Sequence, residues 1–320
     1  MNILITQPEF YSEESLASLR ALGNVDCQQV NSNEQLSVLI NERHHDMVFI
    51  ELGMNIDEQF IKHHPTLRLI ATPTTGLTHI DMRACEESNV TVVSLRNRVD
   101  FLRRITSTAE HIWFLLLSLA RQSQEVQARI SAGKWNRKGV VITQLSGKNL
   151  GIIGYGRLGE IVSGYGLSFR MNVLVYDIKN LDEEVLPRGC TKVDTLNALL
   201  SESDYIVLTA SYHGNKLLNG ENLPLIKPGA SLINASRGEL VDENDILKLL
   251  DSGILAGYAT DVLDADSSWD SDTSIQNPLF EKAKNDRRIV ITPHIGGYAV
   301  EAILSTRKYL VELVHETLSS

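Results

Sequence analysis

Residues 149–159, with the sequence NLGIIGYGRLG, constrain the fold more than any other part of this chain. An apolar run predicts a buried strand, and three glycines then follow in the spacing Gly154-x-Gly156-x-x-Gly159 before a helix-like segment. Gly154 permits a tight turn, Gly156 lets the backbone approach a ligand closely, and Gly159 lets the helix pack against the strand. The first N–H groups of a helix have no partner within it, so they face an anion bound at the turn. The segment predicts a phosphate-binding strand–turn–helix unit in the middle of the chain.

A second apolar strand is predicted at 173–176 and ends at Asp177. This acid follows the glycine turn by about 20 residues, where a carboxylate accepts both hydroxyls of an adenine ribose. Because Asp177 would repel a 2′-phosphate, the pattern favours NAD over NADP, although Lys179 nearby softens that preference. The alternative for the glycine pattern alone is a β–α turn without a ligand, and the flanking strands together with Asp177 disfavour it.

Length and composition limit the classes of protein to which the chain belongs. Its 320 residues suffice for two domains, and 43% of them are hydrophobic. A formal net charge of −10 argues against nucleic acid as the main partner. The N-terminus lacks the features of a signal peptide, and the longest apolar run, 112–120, is too short to cross a membrane. The three cysteines lie far apart without a C-x-x-C motif, so we expect a cytoplasmic protein without disulfides or a membrane partner.

Predicted strands and helices alternate along the chain. In the first hundred residues the strands are predicted at 2–6, 25–30, 46–50, 67–71 and 90–93. A long apolar helix is predicted at 106–121, opening at a Thr/Ser cap. The later strands are predicted at 151–153, 173–176, 205–208, 231–234, 256–259 and 289–292, before a final helix at 300–318. Alternation of this kind implies parallel pairing, so the expected fold class is α/β with doubly wound parallel sheets.

Two polar residues follow the carboxyl ends of predicted strands in the second half of the chain. Arg237 lies in the segment LINASRG, and His294 lies in ITPHIGG. Open parallel sheets bind ligands at that edge. A histidine there exchanges a proton near neutral pH, and an arginine holds a carboxylate and the adjacent carbonyl oxygen. The pair suits oxidation of a 2-hydroxy acid, with structural roles for each residue as the alternative.

Several motifs, in order along nearly the whole chain, resemble those of the D-isomer-specific 2-hydroxyacid dehydrogenases. They are Thr75 and Gly76 with Asp81, Ala109 with Glu110, and the segments 145–159, 234–239, 259–262 and 292–297. The resemblance implies a flavodoxin-like substrate domain formed by residues 1–104 and 296–320. It also implies a Rossmann NAD-binding domain at 105–295, a homodimer formed through that domain, and no regulatory domain after residue 320.

The resemblance assigns roles to individual residues. Arg237 binds the substrate, His294 is the acid/base, and the backbone around Thr75 and Gly76 holds the substrate carboxylate. Asp261 lies at the nicotinamide end of the cofactor. The predicted cofactor-binding residues are Gly154, Gly156, Arg157, Leu158, Gly159, Asp177, Thr209, Ala235, Ser236, Asp261, Gly296 and Gly297.

The chain departs from the family pattern at three places. The glutamate that holds the catalytic histidine is replaced by Asp266, which we predict to be the third catalytic residue. Asp264 is an alternative partner of the histidine. The other alternative is that this acidic loop is solvated and does not contact His294. The family's His-x-Pro reads Thr209-Ala-Ser211, which weakens the assignment of cofactor contacts there. The loop after 46–50 carries no arginine for a substrate phosphate, which counts against 3-phosphoglycerate.

Two further clusters of polar residues leave their roles open. Four arginines within 96–104 suit either a solvated surface or a basic lip that attracts an anionic substrate. Two pairs of adjacent histidines, at 44–45 and 63–64, give no chelating geometry, so no metal is expected.

We therefore expect hydride transfer between NAD(H) and a D-2-hydroxy acid/2-oxo acid pair. Two other functions stay open at this point: an NAD(H)-sensing protein without turnover, and hydride transfer from a donor that is not an alcohol.

Overall fold

The computed structural model describes residues 1–181, 186–264 and 276–319. The chain divides into two compact units. The first unit comprises Met1–Ile105 and Ala299–Ser320, and the second comprises Thr106–Tyr298. The chain passes from the first unit to the second one residue after the predicted boundary at 104. It passes back to the first unit three residues after the predicted boundary at 296.

Strands and helices are numbered in chain order. The strands are β1 (Asn2–Ile5), β2 (Asn24–Cys27), β3 (Met47–Phe49), β4 (Leu69–Thr72), β5 (Thr91–Ser94), β6 (Asn149–Ile153), β7 (Asn172–Tyr176), β8 (Cys190–Lys192), β9 (Tyr205–Leu208), β10 (Ala230–Asn234), β11 (Leu255–Thr260) and β12 (Ile289–Ile291). The helices are α1 (Glu13–Arg20), α2 (Asn33–Arg43), α3 (Glu58–His63), α4 (Met82–Glu87), α5 (Val99–Leu102), α6 (Ser107–Ala120), α7 (Ser123–Ser131), α8 (Arg157–Ser168), α9 (Leu196–Glu202), α10 (Glu243–Asp251), α11 (Pro278–Ala283) and α12 (Val300–Ser319).

The first unit contains a five-stranded parallel sheet in the order β2-β1-β3-β4-β5. This is the flavodoxin-like order. Both faces of the sheet are covered, since Ile3 and Ile5 of β1 join one apolar core while Leu4 joins another. Burial on both faces explains why these strands read as continuous apolar runs and not as alternating ones.

The second unit contains a seven-stranded parallel sheet in the order β12-β11-β10-β9-β6-β7-β8. Counted from β6, this is the Rossmann order 3-2-1-4-5-6 with one more strand at the edge. The strand order reverses between β6 and β9, and ligands of such sheets bind beside that reversal. The α/β fold class with two doubly wound parallel sheets is confirmed.

Some local features differ from the sequence-based expectations. Helix α6 does not open with a side-chain cap, because the Thr106 hydroxyl donates to the Glu110 carboxylate instead of accepting from the backbone. Helix α10 was not predicted from the sequence. Its N-cap residue is Asp242, whose carboxylate accepts from the N–H groups of Asn244 and Asp245. Among the described residues, no helix is both long and apolar enough to span a membrane.

Candidate active site

The three glycines of the turn between β6 and α8 serve different purposes. Gly154 has a φ of +94°, and a Cβ atom there would lie 2.6 Å from the backbone of Ala210. A Cβ atom on Gly159 would lie 2.4 Å from the carbonyl oxygen of Gly154, so close packing of helix on turn requires glycine. At Gly156, by contrast, an added Cβ would meet nothing within 4 Å. The fold therefore requires Gly154 and Gly159, whereas Gly156 leaves open space at the first turn of α8.

Two side chains from neighbouring strands hold this turn. The Thr209 hydroxyl, just after β9, donates to the carbonyl oxygen of Gly154 at 2.6 Å. The Asp177 carboxylate, just after β7, accepts from the N–H groups of Tyr155 at 2.7 Å and Lys179 at 2.8 Å. An ionised carboxylate has about four acceptor positions. Asp177 therefore fixes the turn and keeps acceptor capacity for ribose hydroxyls.

The turn fits the pyrophosphate of a dinucleotide. Gly156 is the N-cap residue of α8, and no side chain caps the first N–H groups of this helix. The unsatisfied N–H groups of the helix start can therefore face an anion without obstruction. Arg157 and Leu158 lie in the first turn of α8, and partial burial lowers the pKa of the Arg157 guanidinium.

The predicted site residues of the second unit lie along one edge of its sheet. One row of paired residues crosses six strands at this edge: Tyr176, Ile153, Leu208, Asn234, Thr260 and Ile291. With about 4.8 Å between strands, the row is about 24 Å long. Asp177 follows one end of the row and His294 follows the other, so the edge can accommodate an extended ligand.

The segment after β10 is held by a fully buried asparagine. The Asn234 side chain accepts from the N–H of Ser236 and donates to the carbonyl of Arg237, each at 3.0 Å. The Ser236 hydroxyl donates to the carbonyl of Leu208 at 2.9 Å, and Arg237 Nη1 donates to the carbonyl of Ser236 at 2.8 Å. Ala235 is buried beside them. Arg237 therefore stands on a turn with a fixed backbone.

The segment after β12 is organised by Asp261, which follows β11 and is 2% exposed. Its carboxylate accepts from the Thr292 hydroxyl at 2.6 Å and from the N–H groups of Ile295 at 3.0 Å and Gly296 at 2.7 Å. The Nε2 atom of His111 lies 3.2 Å away. Burial alone would raise the pKa of Asp261, but the hydrogen bonds from His111, Thr292 and Gly296 outweigh it and lower that pKa.

His294 itself has a left-handed backbone, with a φ of +54°. Its N–H donates to the carbonyl of Asp261 at 2.9 Å. Its Nδ1 atom is buried. Since β10 and β12 are two strands apart in the sheet, the backbones that carry Arg237 and His294 are about 10 Å apart at the strand ends.

Two glycines complete the loop that carries His294. A Cβ atom on Gly296 would lie 2.8 Å from Asp261 Oδ2, and one on Gly297 would lie 3.9 Å from Thr108 Oγ1. The loop therefore packs closely against Asp261 and the start of α6.

The predicted substrate-binding residues of the first unit lie after β4, at the carboxyl edge of that sheet. Thr75 is exposed, and Gly76 is partly buried. The predicted catalytic residue Asp266 lies outside the described residues. Groups of three or more residues able to hold a metal ion are absent from the part of the chain that the structure describes.

Three functional residues of this edge were not singled out from the sequence. Asn234 and Thr292 lie within the quoted motifs, but nothing in the sequence gave them a role. His111 directly precedes the apolar run of α6 that begins at Ile112, and a polar residue beside such a run is a weak signal that it has a specific partner.

Comparison with known proteins identifies the family. A family model described as the NAD-binding domain of D-isomer specific 2-hydroxyacid dehydrogenases matches residues 113–296. A glyoxylate reductase from Thermococcus litoralis is 32% identical over 275 residues, covering 82% of this chain and 76% of the relative. A D-3-phosphoglycerate dehydrogenase from Synechocystis sp. is 27% identical over 303 residues, covering 94% of this chain and 51% of the relative. The chain thus spans about half the length of the phosphoglycerate dehydrogenases that it matches.

Solved structures share the fold over the full chain. A D-lactate dehydrogenase from Aquifex aeolicus, complexed with NAD and lactic acid, has a TM-score of 0.84 at 24% identity and covers 100% of this chain and 96% of its own. The TT0316 protein from Thermus thermophilus has a TM-score of 0.82 at 26% identity and covers 99% of this chain and 97% of its own. The chain belongs to the D-isomer specific 2-hydroxyacid dehydrogenase family, with an NAD-binding domain at residues 113–296.

Proposed function

We propose that this chain transfers a hydride between NAD(H) and a D-2-hydroxy acid/2-oxo acid pair. One observation carries the proposal: Arg237 and His294 both follow strands at the edge where the glycine turn lies, and each stands on a loop fixed by a buried polar residue. A fixed arginine and a fixed histidine at a dinucleotide-binding edge suit this reaction better than nucleotide sensing alone, which requires neither.

The glycine turn, Thr209 and Asp177 would hold the cofactor. When bound, the nicotinamide supplies or accepts the hydride. The carboxylate of Asp177 favours NAD over NADP, because a 2′-phosphate would meet a negative charge already fixed by two backbone N–H groups.

Arg237 and His294 would act on the substrate in different ways. The guanidinium of Arg237 binds and orients the carboxylate of the acid, and it polarises the adjacent carbonyl oxygen. His294 gives a proton to that oxygen during reduction and takes it back during oxidation. Because its Nδ1 atom is buried, Nε2 is the atom that exchanges the proton. Asp266 remains the predicted carboxylate partner of the histidine.

The substrate class is a 2-oxo acid without a phosphate. Thr75 and Gly76 remain the predicted backbone donors to its carboxylate. Glu51 follows β3, where a phosphate-binding arginine would be needed, and it forms an ion pair with Arg307 of α12 through both Nη2 and Nε, the latter at 3.3 Å. The Glu51 carboxylate repels a phosphate and already occupies the guanidinium of Arg307, so this position disfavours a phosphorylated substrate.

We also propose a homodimer formed through the second unit, in the cytoplasm. Exposed apolar side chains concentrate between α7 and β6, where Trp135 is 92% and Val141 is 73% exposed. Large exposed apolar side chains of this kind mark interaction surfaces, and a second copy is the partner that the family suggests. The three cysteines are free, which suits a reducing compartment.

The test is oxidation of NADH by a panel of 2-oxo acids, including glyoxylate, pyruvate, hydroxypyruvate and 3-phosphohydroxypyruvate. Loss of the acid/base in His294→Ala should lower kcat by roughly 100- to 10,000-fold. Loss of two charge-assisted hydrogen bonds in Arg237→Ala, about 3 kcal/mol in total, should lower kcat/KM by roughly 100-fold.

Two surface variants serve as matched controls. His63→Ala and Arg83→Ala remove exposed side chains of α3 and α4, and both should retain full activity. Wild-type turnover by His294→Ala would contradict the assignment of the acid/base. Quenching of tryptophan fluorescence by NADH without turnover of any acid would favour the sensor instead.

A further inference from the structure

Ser107 and Thr108 precede His111 in α6 by four and three residues, and side chains at these separations are neighbours on one face of a helix. This face packs against the loop 292–297, which carries His294. The Ser107 hydroxyl donates to the carbonyl of Gly296 at 2.6 Å. Most other residues of α6, from Ile112 onward, are buried in an apolar core. The polar face of the helix is thus directed at the loop.

The hydrogen bonds of His111 have a defined direction. Its Nε2 atom lies 2.8 Å from the Thr292 hydroxyl oxygen and 3.2 Å from Asp261 Oδ1. The Thr292 hydroxyl donates its single proton to Asp261 at 2.6 Å. Nε2 must therefore carry a hydrogen and donate to this pair of oxygens.

Asp261 transmits this contact to the backbone beside His294. The same carboxylate accepts from the N–H groups of Ile295 and Gly296, and the Asp261 carbonyl accepts from the N–H of His294. His294 has a positive φ, which a non-glycine residue keeps only where the surrounding contacts enforce it. Removing a donor to Asp261 therefore loosens the contacts that hold the backbone of His294 at its positive φ.

We propose that His111 is a positioning residue, which holds the imidazole of His294 in its reactive orientation through Thr292 and Asp261. The inference rests on the proposed acid/base role of His294. His111 does not exchange the reacting proton. It keeps the loop in the one arrangement from which Nε2 of His294 reaches the substrate oxygen.

Two variants of His111 separate positioning from general stability. In His111→Leu the donor is lost, and kcat should fall about 10- to 100-fold, because a displacement of about 1 Å of an acid/base costs that much. The dissociation constant of NADH should change less than kcat does, because the predicted contacts of Asp261 and Gly296 concern only the nicotinamide end of the cofactor and the glycine turn is not touched. In His111→Gln the side-chain amide places a donor near the former Nε2 atom, and kcat should recover to within about fivefold of the wild type.

Phe114→Leu is the matched control, since this half-exposed ring lies beside His111 on the same helix, at 5.7 Å between ring centroids. It should leave kcat unchanged. A His111→Leu variant with the kcat of the wild type would overturn the proposal. So would an equal loss in His111→Leu, His111→Gln and Phe114→Leu, which would indicate damage to the helix.

Amide hydrogen exchange tests the same proposal without turnover. The N–H groups of Ile295 and Gly296 should exchange at least tenfold faster in His111→Leu than in the wild type or His111→Gln, while α8 stays unchanged. If the wild type turns over no 2-oxo acid, the proposed function fails, but faster exchange would still show that His111 holds the loop. Unchanged exchange in His111→Leu would refute the positioning role whatever the activity.

Discussion

Substitution of single glycines in the turn between β6 and α8 should separate cofactor binding from folding. A Cβ atom at Gly156 meets nothing within 4 Å, and its φ of −92° suits any residue. Gly156→Ala should therefore fold normally, while its methyl group enters the space that the pyrophosphate would occupy. Gly154→Ala places a methyl group 2.6 Å from Ala210 at a residue with a φ of +94°, so this substitution should lower the stability of the fold.

The size of each effect follows from these contacts. A methyl group forced into a filled site costs about 1–3 kcal/mol, so Gly156→Ala should weaken NADH binding roughly 5- to 150-fold. For Gly154→Ala the same overpacking is added to about 1–2 kcal/mol for a left-handed backbone, which makes about 2–5 kcal/mol of lost stability. For a unit of this size that corresponds to a Tm lower by roughly 5–20 °C.

Gly164→Ala is the matched control, since Gly164 lies within α8 and its added Cβ also meets nothing within 4 Å. It should bind NADH as the wild type does and be more stable by up to about 1 kcal/mol, because alanine is the better helix former. NADH affinity is measured by quenching of tryptophan fluorescence, and stability is measured by circular dichroism on heating. Unchanged NADH affinity in Gly156→Ala would refute the assignment of the turn to the pyrophosphate. Equal losses of stability in Gly154→Ala and Gly156→Ala would refute the division of roles.

Two further predictions concern acid stability and assembly. The hydrogen bonds to Asp261 lower its pKa in the folded state below the value of about 3.8 for the unfolded chain, so its stabilisation is complete above that value and is lost as the pH falls through the folded pKa. The free energy of unfolding of Asp261→Asn, measured with urea, should therefore differ most from the wild type at pH 6 and less at pH 3.5; a pH-independent difference would contradict this. Trp135→Glu should dissociate the proposed dimer in sedimentation velocity, whereas Ile178→Glu, also at a largely exposed apolar residue, should not; a monomeric wild type would exclude the dimer.

The architecture of both units could be predicted because its signals are local. Each inner strand is a short apolar run, and burial on both faces makes such runs continuous. The glycine spacing likewise depends on a few consecutive residues, and the sheet order places it at the reversal between β6 and β9. Edge strand β8, with only partly buried Cys190, gave no such run and was missed.

The supporting residues of the site could not be predicted, because their roles arise from tertiary contacts. The sequence predicts that Asp177 binds a ribose, but it does not reveal that the same carboxylate accepts from the N–H of Tyr155. His111 and Asp261 are 150 residues apart, and only the packing of α6 on β11 and β12 brings the two side chains together. Residues that face a ligand can stand in short local motifs, whereas the residues that hold them in place are brought together only by the fold.

Strand β11 links the two loops that carry Arg237 and His294. The backbone carbonyl of Asn234 accepts from the Thr260 hydroxyl at 3.1 Å and from the Asp261 N–H at 3.0 Å. The carbonyl and carboxylate of Asp261 then bind the loop of His294. The distance between the two loops is therefore set by the sheet, and it changes only if the strands separate. The orientation of each loop is set by a few hydrogen bonds. Substitutions in this chain of contacts should consequently alter the alignment of Arg237 and His294 before they alter the fold.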